Sequence, residues 1–199
     1  MIVPKTEALS FRLDCLNWPE AFPYKPEVDV RIWHSGDAIH LEYKVNEATV
    51  RALQCTPGGF VYEDSCVEFF IQPDPADPHY YNFEWNAIGN LYLAWRTGRK
   101  NPELAPAEVL DSVRAEASLG CKPFAEHPAD GPWTLKITIP AAALWHSDIK
   151  DCSGLKAKAN FYKCGDGLAT PHYVSWAPVE TEKPDYHRPE FFASLEFEP

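Results

Sequence analysis

The chain has 199 residues, which is long enough to bury a full hydrophobic core, and this length predicts a single domain spanning residues 1–199. Its 18 basic and 29 acidic residues give a formal net charge of −11, which on average repels nucleic-acid backbones and anionic membranes. We therefore expect neither nucleic acid nor a membrane as a partner. The 19 prolines and the 14% of aromatic residues favour a β-rich protein with long loops.

The N-terminal segment, residues 1–7, has neither the basic region nor the apolar region of a secretory signal. No apolar run approaches the roughly 20 residues needed to cross a bilayer. These features predict a cytoplasmic protein, whereas a secreted or periplasmic location would follow if a signal had been removed. The six cysteines contain no C-x-x-C pair and favour reduced thiols, with three disulfides as the alternative.

The first predicted hairpin joins two strands that alternate apolar and polar residues. Val28–Trp33 forms the first strand, Ser35-Gly36-Asp37 the turn, and Ile39–Val45 the second strand. The following segment, Asn46–Gln54, predicts a short helix with Asn46 as its N-cap.

A second predicted hairpin pairs Ser65–Ile71 with Tyr80–Ala87 through the proline-rich segment 73–79. Because side chains alternate across a strand, one face of this hairpin is apolar. The opposite face carries a row of hydrogen-bonding groups: Asn82, Glu84 and Asn86, with Glu68 on the partner strand.

The remaining elements are mostly short alternating strands. We predict strands at Leu91–Trp95, Trp133–Ile139, Leu155–Tyr162 and Leu195–Phe197, a loop at Thr97–Pro106, one helical turn at most at Ala141–Trp145, and either strand or helix at Val109–Leu119. Many short strands separated by turns indicate an all-β fold. We predict an antiparallel β-sandwich, jelly-roll-like, with short connecting helices.

The polar row suits a polyhydroxylated ligand. Amides both donate and accept hydrogen bonds, and a carboxylate accepts from two adjacent hydroxyls. The alternative is an ordinary solvated face with cross-strand pairs. Trp176 precedes a proline-containing loop, and its ring could lie at the sheet edge to stack on a sugar, or else belong to the core.

Catalytic and metal sites are weaker hypotheses. Glu68 and Glu84 would lie about 5 Å apart on adjacent strands, a spacing compatible with a retaining glycoside hydrolase. No nucleophile motif accompanies them, so binding is favoured over catalysis. The candidate metal ligands show no zinc spacing, so calcium is the more plausible metal. These candidates are His79, His172, His187, Asp64, Asp74 and Asp77.

Three motifs resemble a known family: Ser65-Cys-Val-Glu-Phe-Phe-Ile71, Tyr80-Tyr-Asn-Phe-Glu-Trp-Asn-Ala-Ile-Gly89, and Tyr173-Val-Ser-Trp-Ala-Pro178 followed by Pro184-Asp-Tyr-His-Arg-Pro-Glu-Phe-Phe192. They are similar to carbohydrate-binding family 9-like proteins of glycan-degrading bacteria such as the Bacteroides. That group is related to the family 9 modules of xylanases and, more distantly, to the DOMON superfamily.

The resemblance implies a β-sandwich that clamps a sugar between aromatic rings, structural calcium in the xylanase modules, and association with glycoside hydrolases. It assigns the clamping rings to Trp176 and Tyr62 and the hydrogen-bonding strand to Glu84 and Asn86. We therefore expect a saccharide-binding protein without an obligate cofactor, calcium being the alternative. Its predicted ligand-binding residues are Trp176, Tyr62, Asn82, Glu84, Asn86 and Glu68.

Overall fold

The computed structural model describes residues 1–199 and consists mainly of strands. In chain order the elements are β1 (Ile2–Val3), β2 (Leu9–Arg12), β3 (Cys15–Leu16), β4 (Glu27–His34), β5 (Ala38–Asn46), β6 (Thr49–Ala52), β7 (Cys66–Gln72), β8 (Tyr80–Asn86), β9 (Leu91–Arg96), β10 (Glu103–Leu104), α1 (Ala107–Ser112), β11 (Arg114–Ala117), β12 (Phe124–Pro128), β13 (Trp133–Pro140), β14 (Lys156–Cys164), β15 (Tyr173–Ser175) and β16 (Ala193–Phe197). Three 3-10 turns cover Val61–Glu63, Ala141–Ala143 and Pro189–Phe191. None of the helices has the length and apolar character that a membrane span requires.

The strands form two main sheets. The large sheet has nine strands in the order β1-β16-β14-β7-β8-β9-β10, with β15 beside β14 and β3 beside β15. The second sheet has five strands in the order β11-β13-β5-β4-β2, and β6 pairs separately with β12. All the strand pairs are antiparallel except β1 with β16. The predicted antiparallel sandwich is confirmed.

The main core lies between these two sheets because each contributes an apolar face. Alternate residues of β4 are buried, as the sequence pattern predicts. Val30 and Leu41 from the five-stranded sheet join Phe69, Phe83 and Phe161 from the large sheet in one cluster of 34 buried residues.

The outer face of the large sheet is also covered, so β7 and β8 are buried along their whole length. Phe70, Tyr80 and Tyr162 point outward and pack under Trp18 and Tyr186 in a second cluster of 12 residues. Large outward aromatic rings favour such a cover because water is excluded from their surfaces. The polar face that the sequence predicted is therefore accessible only at a cleft.

A charged cluster lies inside the sandwich next to the main core. The ammonium nitrogen of Lys163 lies 2.8 Å from Glu47 Oε2 and 2.6 Å from His172 Nε2. It also donates to the carbonyl of Cys164, and the indole of Trp133 donates to Glu47 Oε1 at 2.7 Å. Lys163, Glu47 and His172 have no exposed side-chain surface.

The structure corrects a local prediction and resolves an ambiguous segment. The helix expected over Asn46–Gln54 is wrong, because β6 occupies its centre and pairs with β12. The β-branched residues Thr49 and Val50 favour this extended structure, and the pairing buries Val50. The ambiguous segment Val109–Leu119 divides between the end of α1 and β11.

Candidate functional site

A cleft of about 270 Å³ opens on the outer face of the large sheet. Small-molecule sites span about 300–1,000 Å³, so this cleft suits a small ligand. Its lining includes five aromatic rings and six charged side chains: Phe60, Tyr62, Tyr92, Tyr173 and Tyr186, with Glu68, Glu84, Arg96, Arg99, Asp166 and Asp185. The remaining lining residues are Pro102, Cys164, Pro184 and His187.

Two carboxyl groups lie directly opposite each other in this lining. The antiparallel pairing of β7 and β8 aligns Glu68 with Glu84, as the alternation pattern predicts, and both residues are at most 5% exposed. Glu84 Oε1 accepts a 2.6 Å hydrogen bond from the amide of Asn82, and Glu68 Oε1 accepts one from the Cys164 thiol at 3.1 Å.

Burial makes ionisation of this pair unfavourable. Burial raises the pKa of Glu84 to about 7, because Arg96 and Asn82 offset only part of the lost hydration. Burial, and to a smaller extent the nearby Glu84 carboxyl group, raises the pKa of Glu68 well above its usual range. Near neutral pH the pair therefore retains a proton, so it can both donate and accept hydrogen bonds.

We expect the stability of the protein to fall as the pH rises from about 5 to 7. Over this range unfolded Glu84, with an ordinary pKa of 4.5, releases its proton while folded Glu84 retains it. Glu84→Gln should make the fall shallower by on the order of 3 kcal/mol in unfolding free energy. Urea denaturation across this pH range measures the effect. Glu42→Gln, on the other sheet, is the control, and an unchanged slope in Glu84→Gln would contradict the expectation.

The other two members of the polar row are occupied by the protein itself. The amide of Asn82 is fully buried and donates to Glu84. The amide of Asn86 donates to the carbonyl of Gln54 at 2.7 Å and to Asp64 Oδ2 at 2.9 Å. Neither asparagine lines the cleft. Their location fits a supporting role, and not the direct ligand contact that the sequence pattern predicted.

Trp176 does not line the cleft either. Its backbone nitrogen donates to the carbonyl of Phe161, and its ring packs 5.7 Å from the Phe161 ring and 5.9 Å from the Phe11 ring. Both neighbours pack in or against the main core, so Trp176 lies on the inner face of the large sheet. The clamping role predicted for Trp176 does not fit this location.

Tyr173, from the same segment as Trp176, supplies an aromatic ring that does line the cleft. It pairs with Cys164 on the outer face, and Phe22 supports its ring edge-on at 4.8 Å. The position was within the quoted motif, but the strand β15 that sets its direction was not predicted. Knowing the strand pairing would have distinguished Tyr173 from Trp176, because the two lie on opposite faces.

Tyr62, the other predicted ring, lines the cleft from the 3-10 turn Val61–Glu63. Its ring lies 5.7 Å from the ring of Phe60, which is 57% exposed at the same site. Two neighbouring aromatic rings thus form one side of the lining.

Asp64 fixes the turn that carries Tyr62. Its Oδ2 accepts hydrogen bonds from the backbone nitrogens of Leu53 and Gln54 at 2.9 and 2.8 Å, in addition to the Asn86 amide. Its Oδ1 lies 3.3 Å from Arg51 Nε, and the Asp64 side chain has no exposed surface. The Asp64 carboxylate therefore ties the turn to residues 53–54 and to the end of β8, next to the cleft.

Arg96, at the end of β9, is a further cleft residue that the sequence analysis missed. Its guanidinium donates to the Tyr92 hydroxyl at 2.8 Å and lies 3.3 Å from His187 Nε2. Its Nε is buried without a hydrogen-bond partner. Burial and then Arg96 lower the pKa of His187 to about 3, so this histidine is neutral. No sequence motif joins these residues, since the fold brings them together from separate elements.

The residues that come close enough to share a metal are Cys66, Glu68 and Cys164, whose ligand atoms lie within 4.8 Å of one another. Burial raises the pKa of Cys66 to about 12 and raises that of Cys164 well above its ordinary value, so both thiols are protonated. Calcium takes six to eight oxygen ligands, and this set with its one carboxylate does not fit it. All six cysteines are free.

The histidines considered as metal ligands are dispersed. His172 is buried beside Lys163, His187 stacks on Phe70, and His79 stacks on Trp95 at 3.7 Å. The Asp64 carboxylate already serves backbone donors. These positions do not assemble the calcium set considered from the sequence.

The sequence profile of carbohydrate-binding family 9 matches residues 2–197. The chain belongs to this family. A crystal structure from Bacteroides uniformis ATCC 8492, of a protein to which carbohydrate binding has been ascribed, is 43% identical with a TM-score of 0.92. The match covers 96% of this chain and 87% of that one. The chain matches none of the curated proteins.

Two more distant structures share the fold. Both are family 9 carbohydrate-binding modules from Caldicellulosiruptor kristjanssonii with TM-scores of 0.62. The glucose complex is 8% identical and covers 100% of this chain and 95% of that one. The cellotriose complex is 9% identical, and its match covers 100% of this chain and 93% of that one.

Proposed function

We propose that the protein binds a mono- or oligosaccharide in the cleft on the large sheet. The observation that carries this proposal is one cleft lined by both aromatic rings and buried carboxyl groups. Flat apolar rings suit the C–H faces of a pyranose, while carboxyl groups bind its hydroxyls. The glucose and cellotriose complexes of structurally similar family 9 modules support the same ligand class.

The roles follow from the chemistry of each side chain. Tyr62 and Tyr173 would stack on the sugar, Glu68 and Glu84 would bind hydroxyls, and Arg96 would donate to a sugar oxygen. Each stacking or hydrogen-bond contact contributes about 1 kcal/mol. We therefore expect a dissociation constant in the micromolar range or weaker. Such binding would serve glycan degradation in association with glycoside hydrolases.

Tyr173→Ala tests this assignment against the one made from the sequence. Loss of one stacking ring should weaken binding of cellotriose about tenfold, which corresponds to roughly 1.4 kcal/mol. Trp176→Phe should leave the affinity unchanged, because Trp176 packs on the inner face. Isothermal titration calorimetry measures both, with circular dichroism to verify folding. A reversed result, with only the Trp176 variant impaired, would restore the sequence-based assignment.

A glycoside hydrolase is the second candidate, favoured by the opposed carboxyl groups of Glu68 and Glu84. Hydrolysis requires one carboxyl group to stay protonated while the other ionises, so their environments must differ. Here burial raises the pKa of both groups, so neither is the readily ionised carboxylate that the nucleophile role needs. Binding is therefore the better-supported function. Turnover of a chromogenic glycoside that Glu84→Gln abolishes would favour the enzyme instead.

A further inference from the structure

The four buried carboxylates of the chain differ in whether a cation accompanies them. Glu47 lies 2.8 Å from Lys163, and Asp64 lies 3.3 Å from Arg51. Glu68 and Glu84, both in the cleft, have no basic nitrogen within 4.0 Å. Buried charges are ordinarily paired, and the two carboxyl groups without such a partner both line the cleft.

Each of these groups also has an oxygen available to a ligand. The hydrogen bonds from Asn82 and Cys164 reach only the Oε1 atoms of Glu84 and Glu68. Neither Oε2 atom has a hydrogen-bond partner, and neither is sealed from the cleft. Two acceptor oxygens therefore remain open beside the aromatic lining.

Acidic groups outnumber basic groups in the lining around the pair. Asp166 and Asp185 bring the cleft to four carboxyl groups against two arginines, and His187 is neutral. Arg96 is already engaged by the Tyr92 hydroxyl and the His187 ring. Arg99 is exposed and forms no ion pair, so solvent screens its charge.

We propose that the cleft prefers an amino sugar, a saccharide with a protonated amine, over its neutral counterpart. This inference rests on the proposed function, because it names the class of saccharide that the same site takes. An ammonium group donates three hydrogen bonds, and its positive charge favours ionisation of the Glu68–Glu84 pair, which retains a proton in the free cleft near neutral pH. Charge-assisted hydrogen bonds to Glu68 and Glu84 are about twice as strong as neutral ones.

Calorimetry at pH 7.0 with matched sugars tests this preference. Glucosamine or 6-amino-6-deoxyglucose should bind about tenfold more tightly than glucose. N-acetylglucosamine should lose the advantage, because acetylation removes the charge. The advantage should also shrink at 1 M NaCl, where the Debye length falls to about 3 Å. Equal or weaker binding of both amines, while glucose binds, would overturn the inference and leave the proposed function intact.

Two substitutions locate the effect. Glu84→Gln and Glu68→Gln should each reduce the ratio of amino-sugar to glucose affinity severalfold, whereas Glu42→Gln on the other sheet should not. An unchanged ratio in both cleft variants would overturn the inference. Titrations in EDTA separate a metal ion from the sugar amine: the preference should persist, and its loss would assign the open oxygens to a cation. If glucose, cellotriose and the amino sugars all fail to bind, the proposed function fails and this inference with it.

Discussion

Lys163→Ala should lower the free energy of unfolding by about 3–5 kcal/mol. Removing this ammonium group leaves Glu47 charged inside the sandwich without its 2.8 Å partner, and an uncompensated buried charge costs about that much. His172 compensates only in part, because its burial lowers its pKa and so disfavours the protonated form that could pair with Glu47. Chemical denaturation measures the loss.

Lys158→Ala is the matched control because Lys158 lies on the same strand, partly exposed and without an ion pair. It should change the unfolding free energy by less than about 0.5 kcal/mol. The double variant Lys163→Met with Glu47→Gln should recover part of the loss by removing both charges. Equal effects of Lys163→Ala and Lys158→Ala would show that the internal ion pair contributes little.

The same ion pair gives stability a second pH dependence, at acid pH. Burial alone would raise the pKa of Glu47, but Lys163 and His172 outweigh it and lower the pKa to about 2. The stabilising contribution is therefore complete above the ordinary value of 4.5 and is lost as the pH falls towards 2. Lys163→Ala should flatten this acid limb of the stability profile.

Asp64→Ala should reduce both stability and saccharide affinity. The substitution removes the acceptor of two backbone hydrogen bonds and leaves Arg51 without its carboxylate. We expect a loss of about 3 kcal/mol in unfolding free energy. Because the neighbouring turn carries Tyr62, we also expect binding to weaken at least tenfold in the fraction of protein that remains folded.

Glu63→Ala is the control for this prediction. Glu63 is adjacent in sequence, but its carboxylate accepts only a 3.2 Å hydrogen bond from Gln54. Its loss should cost less than about 1 kcal/mol. Denaturation and calorimetry on both variants separate the two effects. Full affinity in folded Asp64→Ala would mean that the turn holds Tyr62 without this anchor.

The alternation of apolar and polar residues was sufficient to predict the two hairpins and the sandwich. It also predicted that Glu68 and Glu84 share a face, because that follows from the period of two along each strand. These features depend on neighbours along the chain, or on one hairpin. Local sequence therefore contains the information that determines them.

The cleft depends on contacts that local sequence does not contain. Asn86 is occupied by Gln54 and Asp64, and Arg96 meets His187 from a distant loop. The choice between Tyr173 and Trp176 depends on strand pairing, since a shift of one residue sends a side chain to the opposite face. The stacking ring could be assigned only once the pairing of the strands was known.

The parallel pairing of β1 with β16 brings both ends of the chain to one edge of the large sheet, where the amino group of Met1 donates to the Ser194 carbonyl at 2.8 Å. β16 pairs with residues 156–159 of β14, whereas Cys164 reaches the cleft at the other end of that strand, about 16 Å away. A tether, label or fused catalytic module attached at either end would thus project from the same place. Immobilising the protein through either terminus should leave glycan capture equally unobstructed.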